Sequence, residues 1–215
     1  MELFEVMRTS ATTRYYRDDD VSEQTLYEVL DAARFAPSGG NRQGWHVVIV
    51  RDWQRRRTLR NLYLGPWKEY VAGFRLPGTS STRSISKAAE DFAENLHEVP
   101  VHLIVCVRLD ALAITDADLG RPSIVGGASV YPFVQNILLS CRNKGLGAAL
   151  TTMICRREPE VKELLNIPEG FGIAGLLAVG RPEEKRLSRR LSRLEVSEFA
   201  TQETFDGDPF DVTTS

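Results

Sequence analysis

The chain is poor in the residue types that usually announce a chemistry. Of its 215 residues only three are cysteine and three histidine. Cys106, Cys141 and Cys155 show neither CxxC spacing nor an even count, which argues against a disulfide framework or a zinc site and fits a reducing, cytoplasmic setting. GxSxG, HExxH and GxGxxG are absent too, so the sequence offers no serine elbow, no zinc-protease helix and no Rossmann fingerprint. No apolar run approaches the ~18 residues that span a bilayer. The opening MELFEVMRTS is acidic and mixed, unlike a secretory leader. A net charge of -2 leaves no excess of basic residues to neutralise a nucleic-acid backbone, so neither nucleic acid nor membrane is expected as a partner. His46, His97 and His102 fall in or beside apolar strands and a helix end, where structural roles are expected.

What is present is a globular composition, 42% hydrophobic and 26% charged, that suits one domain. Residues 2–8 have Leu3, Phe4 and Met7 on one side of a short helix. Ser22 is an N-cap for a helix over 22–36, in which Leu26, Val29, Leu30 and Ala33 recur at helical spacing. Residues 46–50 and 101–107 are short apolar β-branched runs, read as buried strands. Residues 53–64 and 67–74 are predicted as two helices, broken by Gly65 and Pro66. A polar, aperiodic segment over 75–86 is predicted as a mobile loop. A helix is predicted over 86–97, and 109–127 is an irregular connection. Residues 128–144 form the strongest amphipathic pattern, with Pro132 in the first turn and Gly145 as a left-handed stop. A strand at 146–153, a helix at 158–165 and a strand at 175–179 follow. Helices and strands interleave without regular alternation, which predicts an α+β or α/β layered domain around one sheet. The tail from 185 carries a basic run, KRLSRRLSRL, and then a polar, turn-rich end that either docks on a partner subunit or stays disordered.

Residues 36–45, APSGGNRQGW, join the second helix to the first strand. Ser38, Asn41, Arg42 and Gln43 offer hydroxyl, amide and guanidinium groups, while Gly39 and Gly40 let the backbone turn and approach a ligand. Pro37 and Trp45 anchor the two ends. The same residue types also make an ordinary turn, so binding loop and plain connection both stand on this evidence. Polar groups without an evident catalyst are what a protein shows when a bound cofactor carries the chemistry.

Four separated segments, in order, resemble the nitroreductase family of FMN-dependent oxidoreductases. TTRYYRDDDV resembles its N-terminal Arg-Ser-x-Arg-x-Phe pattern, and APSGGNRQGW its Ala-Pro-Ser loop. VQNILLSCRNKGLGAALTT resembles the central helix and following strand, and VGRPEE the late Gly-x-Pro turn. The resemblance implies a three-layer α+β fold with a central, mainly antiparallel sheet flanked by helices, in a homodimer. It places residues 1–182 in an FMN-binding domain and 183–215 in a C-terminal arm on the partner subunit. It implies flavin contacts at Thr12 and Arg14, the latter near the pyrimidine edge. Pro37, Ser38, Gly39, Asn41 and Gln43 would line the isoalloxazine, Leu150, Thr151 and Thr152 would approach its reactive N5, and Arg190 and Arg193 would hold the phosphate. Outside the family context, strand propensity explains the threonines and a solvated face the tail arginines. Residues 75–84 would form a lid over the flavin. The chain departs from the pattern at Ala11, where the family carries arginine, leaving Arg8 or the tail arginines to supply that charge.

The activity so implied is electron transfer from NADH or NADPH through FMN to a small electrophile such as a nitroaromatic or quinone, with no protein side chain as catalyst. Flavin storage or regulation without turnover is the contrasting class, and Ala11 favours it. A cofactor-free interaction domain is the third.

Overall fold

A computed structural model describes residues 1–74, 85–183 and 191–212. The lid expected at 75–84 and the phosphate contact expected at Arg190 lie outside the described residues. In chain order the elements are α1 (Leu3–Thr9), α2 (Glu23–Ala33), β1 (Trp45–Val50), α3 (Trp53–Phe74), α4 (Lys87–Glu94), β2 (Val101–Arg108), α5 (Tyr131–Asn143), β3 (Gly147–Thr151), α6 (Glu158–Leu165) and β4 (Phe171–Gly180). The strands form one antiparallel sheet in the order β1-β2-β4-β3.

Alternation along β2 assigns the two faces. Val101, Leu103, Val105 and Val107 enter one core with α2 and α5, while Ile104 and Cys106 enter a second core with α3, α4 and α6. The sheet is therefore the middle of three layers, as the α+β reading expects. On β4 the alternation slips once. Val105 faces Gly175 but Cys106 faces Ile173, so Ala174 is an extra residue, and this bulge lets Ile173, Leu176 and Ala178 share one face.

Local signals hold where they act locally. The Ser22 hydroxyl accepts from the Thr25 amide, Pro132 occupies the first turn of α5, and Gly145 has φ +71°. Three expectations fail for tertiary reasons. Gly65 and Pro66 do not break the helix, because α3 runs through them. A residue before proline avoids the α region mainly through its Cβ, and Gly65 has none. The helix is also held from outside: Arg56 Nη1 donates to the carbonyls of His97 at 2.5 Å and Val99 at 2.7 Å, and Arg60 Nε to Glu94 at 2.7 Å. Residues 46–50 are not a buried strand, since β1 is the sheet's edge and Ile49 is 44% exposed. In α1, Val6 is the buried residue, while Leu3, Phe4 and Met7 are exposed. The second helix stops at Ala33 rather than 36, and the strand expected over 146–153 ends at Thr151.

His102 shows how this packing constrains charge. It is fully buried on β2; its Nε2 lies 2.8 Å from the Leu96 carbonyl, and its Nδ1 has no hydrogen-bond partner. Burial lowers its pKa to about 4. The unfolded chain takes up this proton near pH 6.5, so the folded state is favoured fully above that value and loses stability as pH falls towards 4. About 3 kcal/mol is expected to disappear across this window. Urea unfolding at pH 7 and pH 4.5 measures it. His102→Gln, which keeps a donor for Leu96, should flatten the dependence, and an unchanged slope in that variant would assign the effect elsewhere.

Candidate functional site

The site is built on the exposed edge of β3, where the N-terminal segment is laid down as a short extra strand. Thr12 bridges Ala148 in parallel, and the Thr13 amide donates to the Ala148 carbonyl at 3.0 Å. Thr13 is 3% exposed and fills the space over Gly147, where a Cβ would stand 2.4–2.7 Å from its side-chain atoms. Further along, the Tyr16 hydroxyl lies 2.8 Å from the Thr13 carbonyl and 3.0 Å from that of Ala178. Arg17 N donates to Arg181 O at 2.9 Å, and Glu183 N to Tyr15 O at 3.0 Å. Burial holds the Tyr16 phenol well above its ordinary pKa, so it is a structural hydrogen-bonding group and not a proton donor to solvent.

Because residues 12–17 are tied down, residues 8–12 arch over a cleft of about 810 Å³, bounded by α5, β3 and the tail. Its apolar surfaces include Met7, Leu138, Leu146, Leu150 and Leu191; its charged groups are Arg8, Arg142 and Arg193, and no acidic residue lines it among the described residues. Arg142 Nε donates to Thr9 Oγ1 at 3.0 Å, and that hydroxyl donates to the Glu5 carbonyl at 2.7 Å.

The loop at 36–45 is set apart from this cleft. Gly39–Asn41 forms a tight helical turn, with left-handed backbone at Gly40 (φ +60°), Asn41 (φ +53°) and Gln43 (φ +47°). Such φ values are uncommon for residues other than glycine, and they are held here by two hydrogen bonds. Gln43 N donates to Ser38 Oγ at 3.0 Å, and Gly39 N to Ser129 Oγ at 3.0 Å. Trp45 stacks on Phe133 at 4.8 Å and fixes the loop's far end. Pro37, Gly39, Asn41 and Gln43 remain exposed. The loop thus sits by the start of α5, whereas Arg142 is near that helix's end; at 1.5 Å per residue Phe133 and Arg142 are about 14 Å apart along the axis.

Of the residues singled out from sequence, Thr12, Leu150 and Arg193 line the cleft; Arg14, Thr151, Thr152 and the 37–43 loop do not. Thr151 hydrogen-bonds to Tyr63, a buried tyrosine of the other core. Arg14 is exposed, and its charge acts on Tyr16 and Tyr63. A further knot lies beside the 37–43 loop. Asp116, 4% exposed, accepts from Ser123 Oγ at 2.6 Å, Ile124 N at 2.9 Å and Arg121 Nη1 at 2.8 Å, and these bonds hold its pKa down at about 2. It remains ionised through the neutral range and organises the connection at 109–127, whose Ala113 packs on Gly39. Sequence reasoning missed Arg142. The available signal was spacing: Gln135, Leu138 and Arg142 recur at i, i+3 and i+7, which places them on one face of α5.

Comparison with known proteins agrees with this architecture. The family model described as the nitroreductase family matches residues 7–181. A protein of Archaeoglobus fulgidus named as an NADH dehydrogenase/NAD(P)H nitroreductase is 26% identical over 188 residues, covering 86% of this chain and 88% of its own. An NADH dehydrogenase of Thermus thermophilus is 31% identical over 179 residues, covering 80% and 82%. Among solved structures, iodotyrosine deiodinase bound to FMN and 3-iodo-L-tyrosine superposes with a TM-score of 0.71 at 24% identity, covering 95% of this chain and all of that one. With a family match spanning most of the length and a shared layered fold, the chain belongs to the nitroreductase family.

Proposed function

We propose that the protein is an FMN-dependent oxidoreductase that passes electrons from NADH or NADPH to a small electrophile such as a nitroaromatic or quinone, acting as a homodimer. The observation that carries this is the cleft on β3, which combines three arginines with several apolar side chains and has a volume within the roughly 300–1,000 Å³ typical of cofactor sites. A phosphate monoester fits the arginines and a flat ring fits the leucines. Bound FMN supplies a centre that takes hydride from a nicotinamide and delivers electrons onward. The chain's own task is to hold and to shield. Arg8 and Arg193 bind the phosphate, Thr12 offers its hydroxyl, Leu150 packs against the ring, and Arg14 and the threonines Thr151 and Thr152 lie at the strand's end beside it. No His, Cys, Asp or Glu lines the cleft among the described residues, which suits a transfer that needs positioning more than proton shuttling.

A second chain completes the site in this reading. Pro37, Ser38, Gly39, Asn41 and Gln43 do not line their own cleft, and in this reading they cover the partner's. The exposed apolar residues Leu3, Phe4 and Met7 of α1, and Phe199, Phe205 and Phe210 of the arm at 183–215, supply the surface that such an interface would bury. Three unpaired thiols suit a cytoplasmic protein. Ala11 keeps a second reading in view, a flavin-storage or regulatory protein without turnover. One experiment separates them. The purified protein should be yellow, bleach with NADH or NADPH without air, and recover its colour on adding a nitroaromatic or quinone. Colour that persists under both nucleotides would favour the storage reading, and a protein colourless even after FMN is supplied would overturn both.

A further inference from the structure

We infer that Arg142, on the last turn of α5, is a phosphate ligand of this cleft and takes the place that Ala11 leaves without charge. The inference rests on the FMN reading above. Ser10, Ala11 and Thr12 line the cleft and bring no cation to it, so every positive charge there comes from another element: Arg8 from α1, Arg142 from α5 and Arg193 from the tail. Of the three, Arg142 is the half-buried one, while Arg8 and Arg193 are exposed. Its Nε is fixed on Thr9 Oγ1 at 3.0 Å, and that hydroxyl is itself committed to Glu5 O. This leaves the two terminal nitrogens of a pre-oriented fork for a ligand, the geometry that suits paired phosphate oxygens.

Several surface arginines elsewhere in the chain are neutralised, while Arg14, Arg42 and Arg181 pair with no carboxylate among the described residues. Arg34 pairs with Asp31, Arg51 with Asp20, Arg108 with Asp110 and Arg121 with Asp116. Arg142 pairs with no carboxylate among the described residues. Its surroundings also demand a cation if an anion is to bind. The cleft lies at the C-terminal ends of α1, which closes at Thr9, and of α5, which closes at Asn143. Each helix presents partial negative charge there, which opposes a phosphate. Arg142 lies between those two ends and offsets both.

Flavin affinity separates this role from a structural one, because riboflavin is FMN without its phosphate. Fluorescence titration of the full-length apoprotein with each flavin is expected to show Arg142→Ala weakening FMN about ten- to a hundred-fold. Riboflavin affinity should stay within about two-fold, and the FMN loss should shrink as salt rises. Arg142→Lys keeps the charge without the fork and should fall between. Thr9→Val, which frees the guanidinium without removing it, should cost FMN less than Arg142→Ala. If Arg142→Ala does not fold, Arg142→Lys decides by the same FMN-to-riboflavin comparison. Unchanged FMN affinity, or an equal loss for both flavins, overturns the assignment. Wild-type protein that binds neither flavin overturns the cofactor reading, and this assignment with it.

Discussion

Ending the chain after Glu183 is expected to give a colourless monomer. The cut spares the bond from Glu183 N to Tyr15 O and the bridge of Tyr16 to Pro182, so the edge of the sheet keeps its lacing. It removes Leu191 and Arg193 from the cleft, and with them one of its three arginines. It also removes Phe199, 66% exposed, and Phe205, fully exposed, which have no core of their own to enter. If these bury on a second chain, and if that chain's 37–43 loop closes the cleft, assembly and flavin binding are thermodynamically linked and one truncation abolishes both. The converse should hold for the intact chain, in which added FMN tightens the dimer. Sedimentation of both forms, with and without FMN, reads each effect. A truncated protein that stays dimeric and yellow would reduce the arm to surface, and Arg8 and Arg142 would have to hold the phosphate unaided.

The second large effect is expected from a single glycine. Gly147→Val places a side chain where Thr13 already stands, with no flexible end able to yield, since Thr13 is pinned through its own amide and through the Tyr16 hydroxyl. Overpacking of this kind costs about 3 kcal/mol. At the scale of a 150–250-residue protein that corresponds to a melting temperature lower by roughly 6–12 °C. The relief open to the protein is release of residues 10–17 from β3, which opens the cleft, so flavin binding should disappear along with the lost stability. Adding Thr13→Gly to the same chain removes the clashing atoms and should restore most of both. Calorimetry with a flavin titration tests this, and a double variant no better than the single one would place the damage within β3 itself.

These two regions mark what the sequence could and could not say. The helix α6 was read at its observed ends, and the stop at Gly145 was visible, because caps, proline and period act within a few residues. The continuity of α3 is less visible: Pro66 reads locally as a break, whereas the helix is held by contacts distant in sequence, among them Arg56 and Arg60 on the carbonyls at 94, 97 and 99 and Glu69 on Arg156. The outward face of α1 is not legible for a related reason, since amphipathic spacing gives a helix an apolar side without saying whether that side meets its own core or another chain. In the site, Thr12 and Leu150 come from the motifs and Arg193 from the basic tail, and all three line one cleft, yet Arg142 stayed hidden because nothing in its neighbourhood along the chain mentions Thr9. Resemblance groups the 37–43 loop with the other flavin contacts, and its separation from Arg142, about 14 Å along α5 from the Phe133 anchor, is visible only in the folded chain.

The lacing of the N-terminal segment also fixes an order of events during synthesis. Thr12 pairs with Ala148 and Tyr16 with Pro182, so residues 12–16 must wait until residues 148–182 have been made. At roughly 5–20 residues per second, that wait is on the order of 10–30 seconds. Through this interval the apolar residues of the opening helix have no sheet edge beside them, and the cleft does not yet exist. A nascent chain that has not reached residue 182 therefore offers a ligand no completed cleft, whatever that ligand's concentration. If the cleft is the flavin site, cofactor capture follows the synthesis of β4, and a ribosome stalled before that strand would carry a chain with no site to fill.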